Sequence, residues 1–204
     1  MMLDKPQDSI RMEDNQAVAM DGSSVTMEQI ALHSLHQRDQ RQIAAVASYV
    51  SPECPPVFAT QFAEVEVDTD TGQVEVTRLV MALNPGTVIN PTTAVGQLHG
   101  GQATALGYAV CEEMCYDDAG DLLNPRFGDY RILQADEMPE MKCFIIQEEE
   151  GEKTGPFGAK ALAEIPTDGV APAVSNAVAN AIGVRIPSLP ILPEKVWKAL
   201  QKQA

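Results

Sequence analysis

Residues 58–80, FATQFAEVEVDTDTGQVEVTRLV, read as two extended segments joined by a turn. Apolar residues alternate through 58–67, with Phe58, Phe62 and Val65 as anchors, and again through Val74, Val76 and Val80. A period of two turns one side of each segment toward a core and the other toward water. Between them Asp68-Thr69-Asp70-Thr71-Gly72 supplies polar turn residues and a glycine that tolerates positive φ. The spacing predicts a β-hairpin. The D-x-D-x-G string resembles the opening of a calcium loop, which needs Gly at its sixth position and Glu at its twelfth. Gln73 and Leu79 stand there, so a plain turn is the reading.

Beyond the hairpin, Asn84-Pro85-Gly86 and Asn90-Pro91 make a rigid loop, and a helix is expected over 92–114. It carries Gly96, Gly100, Gly101 and Gly107. Each interior glycine costs about 0.5–1 kcal/mol relative to alanine. Four in one helix imply that something packs very close to its backbone, either a sheet or a bulky cofactor. A turn at 117–121, a strand over 141–147 and an acidic loop at 148–152 follow. The helix Val170–Ile182 has Pro172 in its first turn, Gly183 just past its end, and Val174, Val178, Ala181 and Ile182 as its buried stripe. A short helix opens at Pro193 and runs to 200, packing through Trp197 and Leu200.

Upstream, a small hairpin is expected over 9–19 around Glu13-Asp14-Asn15-Gln16. Thr26-x-x-Gln29 is a capping box that starts a helix with a narrow stripe of Ile30, Ala31, Leu32 and Leu35. This part has few large apolar residues and is expected to lean on a partner or a further region for burial. Three prolines within 51–56 exclude helix and interior strand, marking a linker. The domain reading is a partial α+β segment over 1–50, the linker, and a main domain over 57–204. Strands and helices mix without a regular βαβ rhythm, which indicates an α+β fold of mixed sheet hairpins packed with helices.

The 204 residues carry 14 basic and 29 acidic side chains, a net charge of −15. Phosphate contacts need clustered cations, so a nucleic-acid binder is excluded, as is docking on anionic membrane through a basic patch. Aromatics at 5% leave no stacking platform for bases. No apolar run reaches the roughly 18 residues of a spanning helix. The opening MMLDKPQDSIRMEDNQ has no apolar signal region, so the cytoplasm is the expected compartment.

Cys54, Cys111, Cys115 and Cys143 match no iron–sulfur or CxxC spacing and read as reduced thiols. Cys111 and Cys115, four apart, are expected on one helix face. His33 and His36, three apart, lack a third ligand and read as solvated or structural. Gly155-Pro156-Phe157-Gly158-Ala159-Lys160 fails the phosphate-loop pattern, because two residues rather than four separate its glycines. Within 155–166, GPFGAKALAEIP, one carboxylate stands in apolar company: Glu164 beside Leu162, Ala163, Ile165 and Pro166. Burial there would raise its pKa toward the range of a general base, unless backbone N–H groups or Lys160 satisfy it.

Several separated stretches resemble, in order, one family. FAEVEVDTDTGQVEV resembles its VDxxTGxV hairpin, and LNPGTVINPTTAVGQLHGGQATALGYAVCEEM its N-P and G-Q-x-x-G-G stretch. GPFGAKALAEIP resembles its G-x-x-G-A-K-G-x-G-E-x-P loop, and APAVSNAVANAIGVRI the following helix. The family is that of the molybdenum-binding subunits of xanthine dehydrogenases and aldehyde oxidoreductases, the molybdenum hydroxylases. The match runs from about 58 to 200 on the C-terminal part of that subunit, with a looser likeness over 1–50. It implies a C-terminal molybdenum-cofactor-binding domain over 57–204. By this resemblance Glu164 falls on the family's active-site glutamate and Gln97 on a glutamine that contacts the pterin. Leu162 and Ala163 fall where loop backbone lines the molybdenum site. No side chain is expected to ligate the metal.

The implied cofactor is a molybdenum–pterin, the dinucleotide form included, with iron–sulfur clusters and FAD only on partner subunits. The implied partners are the rest of the molybdenum subunit, an iron–sulfur subunit and a flavin subunit. The implied chemistry is hydroxylation of an sp2 carbon of a heterocycle such as a purine, or of an aldehyde, with Glu164 as base. The other class of reading is a non-catalytic remnant or interaction subunit that retains the fold. Two family glycines are Ala161 and Ala163 here, where alanine adds a methyl and disfavours positive φ. Asn84 stands where the family has Asp, and His99 where acidic residues are common.

Overall fold

The computed structural model describes residues 2–36, 42–51, 53–147 and 155–202. The acidic loop expected at 148–152 lies outside the described residues, as does Pro52 of the linker. The chain divides into two compact units, Met1–Tyr49 and Val50–Ala204.

In the first unit β1 (Ile10–Glu13) and β2 (Gln16–Ala19) form the expected antiparallel hairpin. Asp14 and Asn15 take positive φ at its tip, the conformation a tight hairpin of right-twisted strands requires. A third strand, β3 (Ser24–Thr26), adds on β2, so that Ala17, Ala19 and Val25 make a small core. Three residues with one valine carry no periodicity to announce that strand. The capping box forms: Thr26 N–H donates to Gln29 Oε1 at 3.0 Å and Gln29 N–H to Thr26 Oγ1 at 3.1 Å. It opens α1 (Met27–His36), none of whose residues is buried.

The second unit centres on a sheet of order β4–β5–β6. β4 (Phe58–Val67) and β5 (Val74–Asn84) are the predicted hairpin, with Gly72 at φ 79° in its turn. The Asp68 carboxylate caps that turn by accepting from the N–H groups of Asp70 and Thr71, which hold its pKa below the usual range. Pairing slips by one residue where Glu64 faces Arg78 and Val65 faces Val76, leaving Thr77 as a bulge. A bulge reverses which side chains face the core. Thus Val74 and Val76 point inward below it, and Leu79, Met81 and Leu83 above it. Phe58 and Phe62, read as core anchors, are instead 65% and 62% exposed. They share the outward parity of β4, while Gln61, Ala63, Val65 and Val67 face inward.

α2 (Pro91–Val110) crosses from β5 to β6 (Glu140–Ile145), which pairs parallel to β5. This parallel unit was not expected from the sequence, since a long irregular stretch separates helix and strand. α2 is capped by Asn90, whose side chain accepts from Thr93 N–H, with Pro91 at its first position. It ends four residues earlier than the expected 114. The Gly107 carbonyl accepts from both Cys111 and Glu112 N–H, and Cys111 leaves the helix at φ −148°. Cys111 and Cys115 therefore share no helix face, and all four cysteines are thiols. Partial burial raises the pKa of the Cys111 and Cys143 thiols, which suits half-buried, unreactive sulfurs.

α3 (Ile165–Asp168), α4 (Val170–Ile182) and α5 (Pro193–Gln201) complete the unit. α4 ends on Gly183 in the left-handed conformation, as predicted, and buries Val174, Val178 and Ile182, whereas Ala181 is exposed. It packs on β4 beside α2, building a core with Val76, Leu79, Leu106, Ile191 and Val196. A second cluster, Met81, Leu83 and Leu98, takes in Leu162 and Ile165. Among the described residues no helix is long and apolar enough to cross a membrane.

Candidate functional site

The site loop, 159–166, is anchored at both ends. At its start the Lys160 N–H donates to the Pro85 carbonyl at 2.9 Å, and Thr87 N–H donates to Gly158 O at 3.0 Å. Gly86 permits this approach: it sits at φ 64°, and a Cβ there would run into the Gly158 carbonyl. At its end Pro166 is buried against α2 at Gly101, where a Cβ would lie 2.6 Å from the Pro166 Cβ. One of the four helix glycines is thereby explained by packing. A second, Gly107, makes room for the folded-back Glu112 side chain.

Gly96 and Gly100 are different. A Cβ at either would meet nothing within 4 Å. Both are exposed and lie one turn apart, with exposed Gln97 beside them. The Gln97 Nε2 donates to the Ala163 carbonyl at 3.1 Å, tying the loop to the open stretch of helix. Three of the four predicted positions, Gln97, Ala163 and Glu164, are thus brought to one edge of the second unit. Leu162 is at the same loop, but its side chain turns inward onto the Met81–Leu83–Leu98 cluster.

Glu164 is exposed, contrary to the expectation of a desolvated carboxylate. Leu162 and Ile165 on either side turn into the core, which leaves Ala163 and Glu164 on the outer side of the loop. Its side chain makes no capping bond to α3. Its backbone is fixed instead, its carbonyl accepting from Thr167 N–H at 2.9 Å and Thr167 Oγ1 at 2.7 Å. Ala161 and Ala163 both avoid positive φ, so alanine is accommodated at these two places without strain. His33 and His36 lie in the first unit, and no group of three His, Cys, Asp or Glu among the described residues is placed to hold a metal.

Two inward-facing glutamines, Gln61 half-buried and Gln102 buried, have no counterpart among the expected site residues. Gln61 lies on the core side of β4, and its Nε2 donates to the carbonyls of Ile165 and Pro166, 3.2 Å each. Gln102, fully buried on α2, accepts from the Cys143 thiol at 3.3 Å. The available signal was a polar residue at an inward position of an apolar pattern.

The molybdopterin cofactor-binding domain family matches residues 1–139. Among curated proteins the chain is 32% identical over 161 residues to the probable hypoxanthine oxidase XdhD of Escherichia coli, covering 78% of this chain and 17% of that protein. It is 33% identical over 165 residues to the gamma subunit of the 6-hydroxypseudooxynicotine dehydrogenase complex of Paenarthrobacter nicotinovorans, covering 80% and 21%. Quinoline 2-oxidoreductase of Pseudomonas putida superposes with a TM-score of 0.77 at 26% identity, over 98% of this chain and 27% of that one. CO dehydrogenase of Oligotropha carboxidovorans gives 0.76 at 26% identity, over 98% and 26%. The chain spans about a fifth of the length of the curated relatives it matches.

Proposed function

This chain belongs to the molybdopterin cofactor-binding family of xanthine dehydrogenase and aldehyde oxidoreductase molybdenum subunits, and from that premise we propose that it forms one wall of the active site of a molybdenum hydroxylase. The observation that carries the reading is the open stripe of Gly96 and Gly100 beside a loop that Gln97 tethers and Glu164 crowns. A flat polar group fits there, because the stripe lacks the two side chains that would hold it off the helix. An amide such as Gln97 can both donate to and accept from a pterin edge.

Gln97 and the backbone at Leu162 and Ala163 would hold a molybdenum–pterin cofactor, the dinucleotide form included. Bound there, the cofactor would supply the electron sink and activate the oxygen that reaches the substrate. Glu164 serves as the general base, accepting a proton on its carboxylate. In the overall reaction a C–H bond of the substrate becomes C–O–H, water provides the oxygen, and two protons and two electrons leave. The substrate is an electron-poor heterocycle such as a purine, a reading supported by the relative named as a probable hypoxanthine oxidase. The electrons pass to iron–sulfur and flavin groups on partner subunits.

The rest of the molybdenum subunit is the proposed cover for this edge and for the outer face of the sheet, since relatives carry several times more chain. That face bears Phe58, Phe62 and Phe144, each more than half exposed, with Val80 and Ala82 between them in register. It ends in a cluster of four charges in which Arg78 meets Glu140 at 2.7 Å and Glu64 at 3.0 Å, and Lys142 meets Glu140 at 3.0 Å. An uncovered patch of this kind associates. We expect the chain alone to self-associate in sedimentation at micromolar concentration, and Phe62→Glu with Phe144→Glu to yield monomer. A wild-type chain that stays monomeric and captures none of the remaining subunit would count against the reading.

Gln97→Ala tests the cofactor wall. One amide hydrogen bond contributes about 0.5–1.5 kcal/mol, so molybdenum content of the assembled complex should fall several-fold, while loss of the bond to Ala163 lowers the melting temperature by no more than a few degrees. A non-catalytic remnant would copurify without molybdenum or pterin in the wild-type complex.

A further inference from the structure

We propose that Gln61 is a positioning residue for Glu164, acting through the backbone that follows it. The proposal rests on Glu164 being the base. Gln61 projects from the core side of β4, whereas Gln97 reaches the loop from α2. Its Nε2 donates to the Ile165 and Pro166 carbonyls, at 3.2 Å each. Carbonyls only accept, so the amide has one possible orientation. Its Oε1 is buried with no hydrogen-bond partner among the described residues. A buried acceptor left unpaired is unfavourable, so this glutamine is held for its two donations.

Neighbours fix the amide in place. Gly169 presses on it so closely that a Cβ there would lie 2.8 Å from Gln61 Cδ. Gly101 of α2 backs Pro166 in the same way, a Cβ there lying 2.6 Å from the Pro166 Cβ. The carbonyls of residues 163, 165 and 166 are therefore held by side chains from a helix and a strand. Glu164 lies between those three anchors, and its own carbonyl is bonded to Thr167. The exposed carboxylate is thus carried on a backbone with little freedom to tilt. That is what a base needs when its side chain is not itself walled in, because a displacement of an ångström can cost a hundred-fold in rate.

Gln61→Met removes both donors at similar volume, and Gln61→Glu keeps the shape but turns an acceptor toward two carbonyls. In the assembled complex, well below the melting temperature, Gln61→Met should lower kcat about 10–100-fold with KM within about three-fold. Molybdenum content should be unchanged. Hydrogen exchange of a peptide covering 160–168 should quicken about ten-fold or more, with the β4–β5 hairpin unaffected. Should Gln61→Met not fold, Gln61→Glu decides on the same measurements. A folded variant with kcat within two-fold of wild type, or one that loses metal or raises KM instead, overturns the proposal. Glu164→Gln is run beside it. If that variant loses turnover while Gln61→Met does not, positioning alone is rejected. If Glu164→Gln retains turnover, the base assignment falls and the positioning role with it.

Discussion

Glu164→Gln is expected to lower turnover of the assembled complex by at least about a hundred-fold, the smaller end of what general-base catalysis contributes. The amide has the volume of the carboxylate and part of its hydrogen-bonding capacity, but it cannot take up the proton. The structure makes the experiment clean. Glu164 is exposed and, though it is the N-cap residue of α3, makes no capping bond, so the substitution removes neither a core contact nor a cap. Exposed substitutions of this kind shift stability by no more than about 0.5 kcal/mol. Molybdenum content should also hold, because the tether to Ala163 comes from Gln97. The expected pattern is a variant that melts normally, carries its metal and does not turn over. Near-normal kcat in a metal-replete variant would reject the base assignment, and loss of metal together with turnover would move Glu164 to a binding role.

The hairpin, the capping box, the glycine-ended α4 and the fold class were legible because each rests on a local rule. Alternation, a Thr–Gln reciprocal pair and a left-handed glycine need no knowledge of distant residues. The errors came where a distant residue decides. Alternation made Phe58, Phe62 and Val65 anchors, yet only Val65 has the inward parity of β4, and the bulge at Thr77 flips the partner strand between Val76 and Leu79. The parallel β5–β6 pair is a contact across an irregular connection that no window of sequence contains. α2 stops at Val110 because one carbonyl takes two N–H groups, a choice of geometry rather than of residue type. In the site, the resemblance gathered Gln97, Leu162, Ala163 and Glu164, and the fold brings all but the inward-turned Leu162 side chain to one edge. It did not reach Gln61, whose role depends on the β4 side chain meeting carbonyls more than a hundred positions away. The exposure of Glu164 was likewise hidden, because apolar neighbours in sequence turned out to face the opposite way.

The glycines of α2 separate packing from function in a way that stability alone cannot imitate. Gly101→Ala adds a methyl 2.6 Å from the Pro166 Cβ, far inside the roughly 3.5–4.0 Å of a carbon–carbon contact. Alanine would favour the helix by about 0.5–1 kcal/mol, but the ring is fixed in the backbone and cannot swing away. Overpacking of this kind costs about 1–3 kcal/mol, so the clash outweighs the propensity and the chain should melt earlier, with the loop displaced. Gly96→Ala and Gly100→Ala place their methyl in open space. Only the propensity remains, and each should raise stability by about 0.5–1 kcal/mol in denaturant or thermal melts. The same methyl stands where the flat face of a cofactor would lie, so the Gly96→Ala, Gly100→Ala double variant should be more stable and yet hold markedly less molybdenum and pterin in the assembled complex. A helix whose open glycines are incidental would gain the stability and keep its full cofactor content, and that result would remove the proposed wall of the site.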